Sequence, residues 1–228
     1  RNILNPSANR IMTAKQQQHV TTVERKVKQL FAADTSGHDW YHIERVKIMS
    51  LHLASCQGAD SYICSLAALL HEHDDAKLLH LTGGKEAALS LLQQTGVPAE
   101  AIAHIDAIVS TLSFKGSQTH TPMHSPEGMC VQDADRLDAL GAIGIARTFS
   151  YGGAKNRMMF NPEAGPKIYA SADEYRNTDS SAIHHFYEKL LLLKDRMNTD
   201  EGRRIAAQRH DFMLIYLEQF YKEWGCKF

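Results

Sequence analysis

From Thr13 onward, apolar residues recur at helical rather than alternating spacing. Val20, Val23, Val27, Leu30 and Phe31 share one face with charges between them, which predicts a first helix ending in the breaker cluster Asp34-Thr35-Ser36-Gly37. Asp39 is the expected N-cap of a second helix whose apolar positions are Ile43, Val46, Met49, Leu51 and Leu53, and Gly58 ends it. Asp60 or Ser61 caps a third. Its residues Tyr62, Ile63, Leu66, Ala67, Leu69 and Leu70 are almost all apolar, so this helix is expected to be buried on most sides and to deliver His71 to the interior. Gly83-Gly84 breaks the chain again. Two further helices follow, 85–94 ended by Gly96, and 98–112 with Pro98 in its first turn and Glu100 near its positive end.

Residues 113–129 read as loop from their Gly, Ser, Thr and Pro content, and 131–149 as one helix carrying Asp133-Ala134-Asp135-Arg136-Leu137-Asp138. The stretch 150–180 holds Gly152-Gly153, Asn161-Pro162 and Gly165-Pro166 and is expected to be a long irregular segment of the kind that forms lids. Two long helices finish the chain. Phe186, Leu190, Leu193 and Met197 stripe the first, and Thr199 with Asp200 and Glu201 opens the second, which runs to about Trp224. No strand pattern persists. The pattern therefore predicts an all-α fold, one domain over 12–228 built as an orthogonal helical bundle, preceded by a disordered or tag-derived leader at 1–11.

Composition narrows the function. A chain of 228 residues with a formal net charge of −1 has no global field to draw it to nucleic acid or an anionic membrane, and it carries no basic stripe interleaved with aromatics. No apolar run reaches the roughly 20 residues that span a bilayer. The four cysteines are scattered without a C-x-x-C pair, as expected of reduced thiols in a cytoplasmic protein.

The chemistry concentrates in His71-Glu72-His73-Asp74-Asp75-Ala76-Lys77, at the end of the apolar third helix. His42 on the second helix, His71 and Glu72 here, and Asp135 far downstream offer two imidazoles and two carboxylates, a set that suits one divalent ion of the Mn, Fe, Co, Ni, Mg or Zn type. Spacing alone leaves a core role for either histidine open. His38, one turn before His42, is placed to reach substrate or to orient His42, and Asp39 reads as a cap.

These residues carry a resemblance. His42-Ile43-Glu44-Arg45-Val46, Ala67-Ala68-Leu69-Leu70-His71-Glu72 and Asp133-Ala134-Asp135-Arg136-Leu137 resemble the H…HD…D signature of the HD superfamily of metal-dependent phosphohydrolases, an all-α bundle. Gly37-His38-Asp39-Trp40-Tyr41-His42, the run from Val131 to Gly144, and His185-Phe186-Tyr187-Glu188-Lys189-Leu190 resemble a bacterial-type subgroup of it. The resemblance spans roughly residues 20–224 and implies metal ligands at His42, His71, Glu72 and Asp135. It departs at Glu72, where the signature has aspartate, so that His73-Asp74 is the literal rival pair although Ala67-Ala68-Leu69-Leu70 aligns His71-Glu72 with the family position, and at Leu112, where some relatives have histidine. It also implies Asp75, with His38, in proton transfer, since some HD nucleotidases place an assisting carboxylate three residues past the dyad. Lys77, Asp138, Arg147, His185 and Lys189 are the expected substrate-binding residues. The implied substrate is a small phosphate ester, a nucleotide. A homodimer is compatible with this reading, whereas nucleic acid and membrane partners are not expected. The alternative is a catalytically lapsed HD domain that senses a nucleotide or binds a protein, with Glu72 deciding between the two.

Overall fold

The computed structural model describes residues 11–33, 37–74, 78–112, 121–167 and 180–225. Among them every regular element is helical: α1 Ala14–Leu30, α2 Trp40–Gln57, α3 Ser61–Leu70, α4 Leu79–Thr82, α5 Gly84–Thr95, α6 Ala99–Val109, α7 Pro126–Asp138, α8 Gly141–Ala154, α9 Ala182–Glu188 and α10 Asp200–Trp224, with 3₁₀ turns at His71–Asp74 and Leu190–Arg196. The fold is all-α, as the apolar spacing predicts. The described residues fall into two compact units, one from 11–112 and 121–134, the other from 135–167 and 180–225.

The first unit is built on α3. All residues from Tyr62 to Leu70 are buried, as expected for a helix that is apolar all round. α1, α2 and α6 pack against it, presenting Val20, Val23 and Val27, then Ile43, Val46 and Leu53, then Ile105 and Ile108. Leu66, Leu69 and Leu70 are essentially inaccessible, and each contributes about 2 kcal/mol of hydrophobic stabilisation. Ala67 and Ala68, fully buried, keep the helix slim where its neighbours approach. Asp60 caps α3 by accepting from the backbone N–H groups of Tyr62 and Ile63 at 2.8 and 3.4 Å, a cap worth about 1 kcal/mol. Its own N–H donates to Glu127 Oε1 at 2.9 Å, tying α3 to the first turn of α7. His19 on α1 meets Tyr62 through Nδ1 and the phenol oxygen at 2.7 Å. Cys56, Cys64 and Cys130 are free thiols.

The second unit gathers α8, α9, the 3₁₀ turn and α10 around Phe186, whose ring stacks on Tyr216 at 5.9 Å. Phe160 stands edge-on to Phe220, Tyr221 and Trp224. Thr199 caps α10 by accepting from Gly202 N–H at 3.0 Å.

Three elements differ from the sequence expectation. α7 starts at Pro126, inside the stretch read as loop, because Ser125 Oγ accepts from Gly128 N–H at 3.1 Å and Pro126 takes the first helical position. The helix expected over 131–149 is two helices, parted at Gly141, whose φ of 72° lies in the left-handed region; α8 then runs on to Ala154. The long helix expected through Phe186 and Met197 is α9 followed by a 3₁₀ turn, with the backbone at Lys189 leaving the helical region at φ −140° and ψ −59°. No helix among the described residues is long and apolar enough to cross a membrane.

Candidate metal centre

Two helix ends build the site. At the start of α2, Asp39 Oδ1 accepts from His42 N–H at 2.8 Å, so Asp39 is the cap and His42 lies in the first turn. The His42 side chain is fully buried. At the other end, α3 passes into the 3₁₀ turn His71–Asp74, which places His71 and Glu72 in succession inside the unit, 7% and 4% exposed.

His71 donates from Nδ1 to the Ala68 carbonyl oxygen at 2.7 Å. A carbonyl can only accept, so Nδ1 carries the proton and, in the neutral ring, Nε2 presents a lone pair. That Nε2 lies 3.0 Å from His42 Nε2 and 3.6 Å from Glu72 Oε1, and His42 Nε2 lies 3.0 Å from the same Oε1. His38 Nδ1 donates to Glu72 Oε1 at 2.7 Å. Burial opposes ionisation of Glu72. The hydrogen bonds from His38 and His42, with the positive charge of His38 and of His71 when those rings are protonated, outweigh it and hold the carboxyl well below the usual carboxylate range.

Lone pairs on imidazole nitrogens and a carboxylate oxygen do not converge without a cation or proton between them. The donor set fits a divalent ion. Metal bonds of about 2.1 Å meeting at roughly 90–120° put neighbouring donor atoms about 3.0–3.6 Å apart, and the three separations among His42, His71 and Glu72 are 3.0, 3.0 and 3.6 Å. His38, His42 and Glu72 also offer one donor atom each within 4.8 Å of one another. The Ala68 carbonyl is the orienting partner that metal-binding histidines characteristically have; a backbone acceptor leaves no mark in sequence, and the sequence reading misses it.

His73, of the rival pair, is turned elsewhere. Its ring is buried, stands edge-on to Phe31 at 6.3 Å and lines a small cavity with Leu70, Ala88, Leu92, Ile105 and Val109. Burial above all, with the charge of His71 whenever that ring is protonated, pushes its pKa down to about 4, so it sits neutral in that cavity. The Asp74 side chain, Asp75 and Lys77 lie outside the described residues.

Asp135 lies half-buried on α7, directly after Asp133 and Ala134, both fully buried. In the second unit, Asp138 is buried and pairs with Arg147 Nη1 at 3.0 Å, while Arg136 donates to the Arg196 carbonyl. His185 lies half-buried on α9 and Lys189 directly follows that helix. The α9 start is held by Ala182 and Ile183, which donate to the carbonyls of Met158 and Met159 at 2.9 and 3.0 Å.

No protein-family model matches the chain. It is 37% identical over 202 residues to the uncharacterised protein YpgQ of Bacillus subtilis, across 86% of this chain and 89% of YpgQ. The crystal structure of YpgQ in complex with ADP is similar with a TM-score of 0.72 at 35% identity, covering 90% of this chain and 97% of that one. A Lactobacillus plantarum crystal structure reaches a TM-score of 0.83 at 35% identity, covering 95% of this chain and all of its own. An HD-superfamily hydrolase from Bacillus thuringiensis is 40% identical, with a TM-score of 0.69 over 92% of this chain and 98% of that one. The motifs at His42, at His71-Glu72 and on α7 and these relatives agree: the chain belongs to the HD superfamily, of the metal-dependent phosphohydrolase kind, in the subgroup that includes YpgQ.

Proposed function

We propose that this protein hydrolyses a phosphate ester of a nucleotide at a centre of one divalent ion held by His42, His71, Glu72 and Asp135. The observation that carries the reading is the convergence of His71 Nε2, His42 Nε2 and an ionised Glu72 oxygen, with His71 fixed in the tautomer a metal needs. An ion held there would supply Lewis acidity and lower the pKa of water toward neutrality. The chain's own residues supply the rest. Glu72 and Asp135 bring the negative charge that selects a cation. Asp75, three residues past Glu72, handles the proton, as a general acid or base beside the reacting group. Lys77, His185 and Lys189 compensate the charge of the phosphate. Asp138 and Arg147 act as a pair, the carboxylate aiming the guanidinium. The nucleotide class is supported by the ADP bound to YpgQ.

The test is a screen of manganese-loaded protein against nucleoside mono-, di- and triphosphates and p-nitrophenyl phosphate. Release of phosphate or pyrophosphate from a nucleotide, abolished by His71→Ala, is the expected result. A folded, metal-loaded protein that turns over no phosphate ester contradicts it. One observation favours a second reading, a lapsed domain that senses a nucleotide or binds a protein: Glu72 Oε1 is already satisfied by His38 and His42. Nucleotide binding without turnover, with hydrolysis appearing on Glu72→Asp, would establish that reading instead.

A further inference from the structure

The glutamate at position 72 carries one methylene more than the aspartate of the family signature, and the structure shows what holds the longer arm. Glu72 Oε1 is the oxygen that faces His42 and His71, and it is also the oxygen that accepts from His38 Nδ1 at 2.7 Å. A carboxylate oxygen has two lone-pair directions, so one can receive the His38 proton while the other faces the histidines. His38 is itself well placed. It precedes the α2 cap Asp39, whose bond to His42 N–H fixes the backbone there. Its ring stands edge-on to the His42 ring at 5.8 Å and 81°. Its side chain is 20% exposed against 5% for Glu72.

We propose that His38 is a positioning residue matched to Glu72: by donating to Oε1 it selects, among the rotamers of the longer side chain, the one that aims that oxygen at the metal centre. The inference rests on the metal-centre reading above. Its consequence is energetic coupling between positions 38 and 72. An aspartate at 72 withdraws the oxygen by about one C–C bond, roughly 1.5 Å. That carries it beyond hydrogen-bond reach of His38 Nδ1, and the shorter arm has less freedom to remove. His38 is therefore needed in the presence of Glu72 and dispensable in the presence of Asp.

A double-mutant cycle in affinity for Mn²⁺ alone, measured by titration calorimetry, tests this. The proteins are wild type, His38→Ala, Glu72→Asp and the double variant, with a circular dichroism melt on each to establish folding. His38→Ala is expected to weaken Mn²⁺ binding about 10–100-fold, the usual scale for loss of a residue that orients a metal ligand, and to change it by less than about threefold in the Glu72→Asp protein. His38→Asn serves as the conservative variant, because its amide N–H sits one bond from Cγ, as Nδ1 does. It is expected to stay within about threefold of wild type. Equal losses in both backgrounds, or none in either, overturn the proposal while leaving the metal centre standing. A folded wild type that binds no Mn²⁺ overturns both.

Discussion

Replacing Tyr62 by Phe removes one hydroxyl from the interior of the first unit, and the structure sets both the sign and the size of the result. Tyr62 is 3% exposed and its oxygen lies 2.7 Å from His19 Nδ1. Burial, then the negative charge of Asp60, pushes the phenol up to about 12 from its ordinary 10. Below the unfolded value both states keep the proton, and the wild type holds an advantage of about 1 kcal/mol from the hydrogen bond. Between the two values the unfolded chain releases a proton that the folded chain retains, so folded stability falls as pH rises. One unit is about 1.36 kcal/mol, so the shift totals about 3 kcal/mol, of which roughly half is lost by about pH 11. Phe at position 62 has no proton to release. The two stability curves should therefore cross near about pH 11, with Tyr62→Phe the less stable below it and the more stable above. Urea unfolding followed by circular dichroism at about pH 8, 10 and 11.5 measures this. Curves that stay parallel across that range would refute the argument that this hydroxyl is desolvated in the fold.

Two other perturbations probe the second unit. A Cβ on Gly144 would meet the Ala139 carbonyl, which is backbone and cannot swing away, whereas nothing stands near Gly153 on the same helix. Gly144→Ala should cost about 2 kcal/mol or more while Gly153→Ala is neutral or stabilising, read as melting temperatures. Arg147→Met takes a guanidinium from the buried Asp138 carboxylate and should cost about 3 kcal/mol, largely restored by adding Asp138→Asn; an unchanged melting temperature would contradict this.

Legibility in the sequence followed how local the determining physics is. α1, α2, α3 and α10 were readable because their caps, Thr13, Asp39, Asp60 and Thr199, act within three residues and their apolar stripes are unbroken. The start of α7 was also signalled locally, by Ser125-Pro126-Glu127, but loop-like composition on its N-terminal side masked it. The division between α7 and α8 was hidden because apolar spacing continues through Gly141, and only its positive φ marks the break. In the site, His71 and Glu72 stood out as polar residues ending a buried helix. The proton on His71 Nδ1 depends on the Ala68 carbonyl, and the partner of His38 depends on how α2 meets α3. Neither is written in residue identity, so the sequence suggested His38 as a neighbour of His42 or of substrate, and the fold puts its Nδ1 on Glu72.

The central claim is that these residues hold a divalent ion. Metal content answers it most directly: load the protein with near-millimolar Mn²⁺, remove free ion by gel filtration, and measure manganese per chain by elemental analysis. The account predicts about one ion per chain in the wild type and almost none in a folded His71→Ala protein. A folded wild type that emerges without metal, or a His71→Ala protein that retains it fully, would contradict the account.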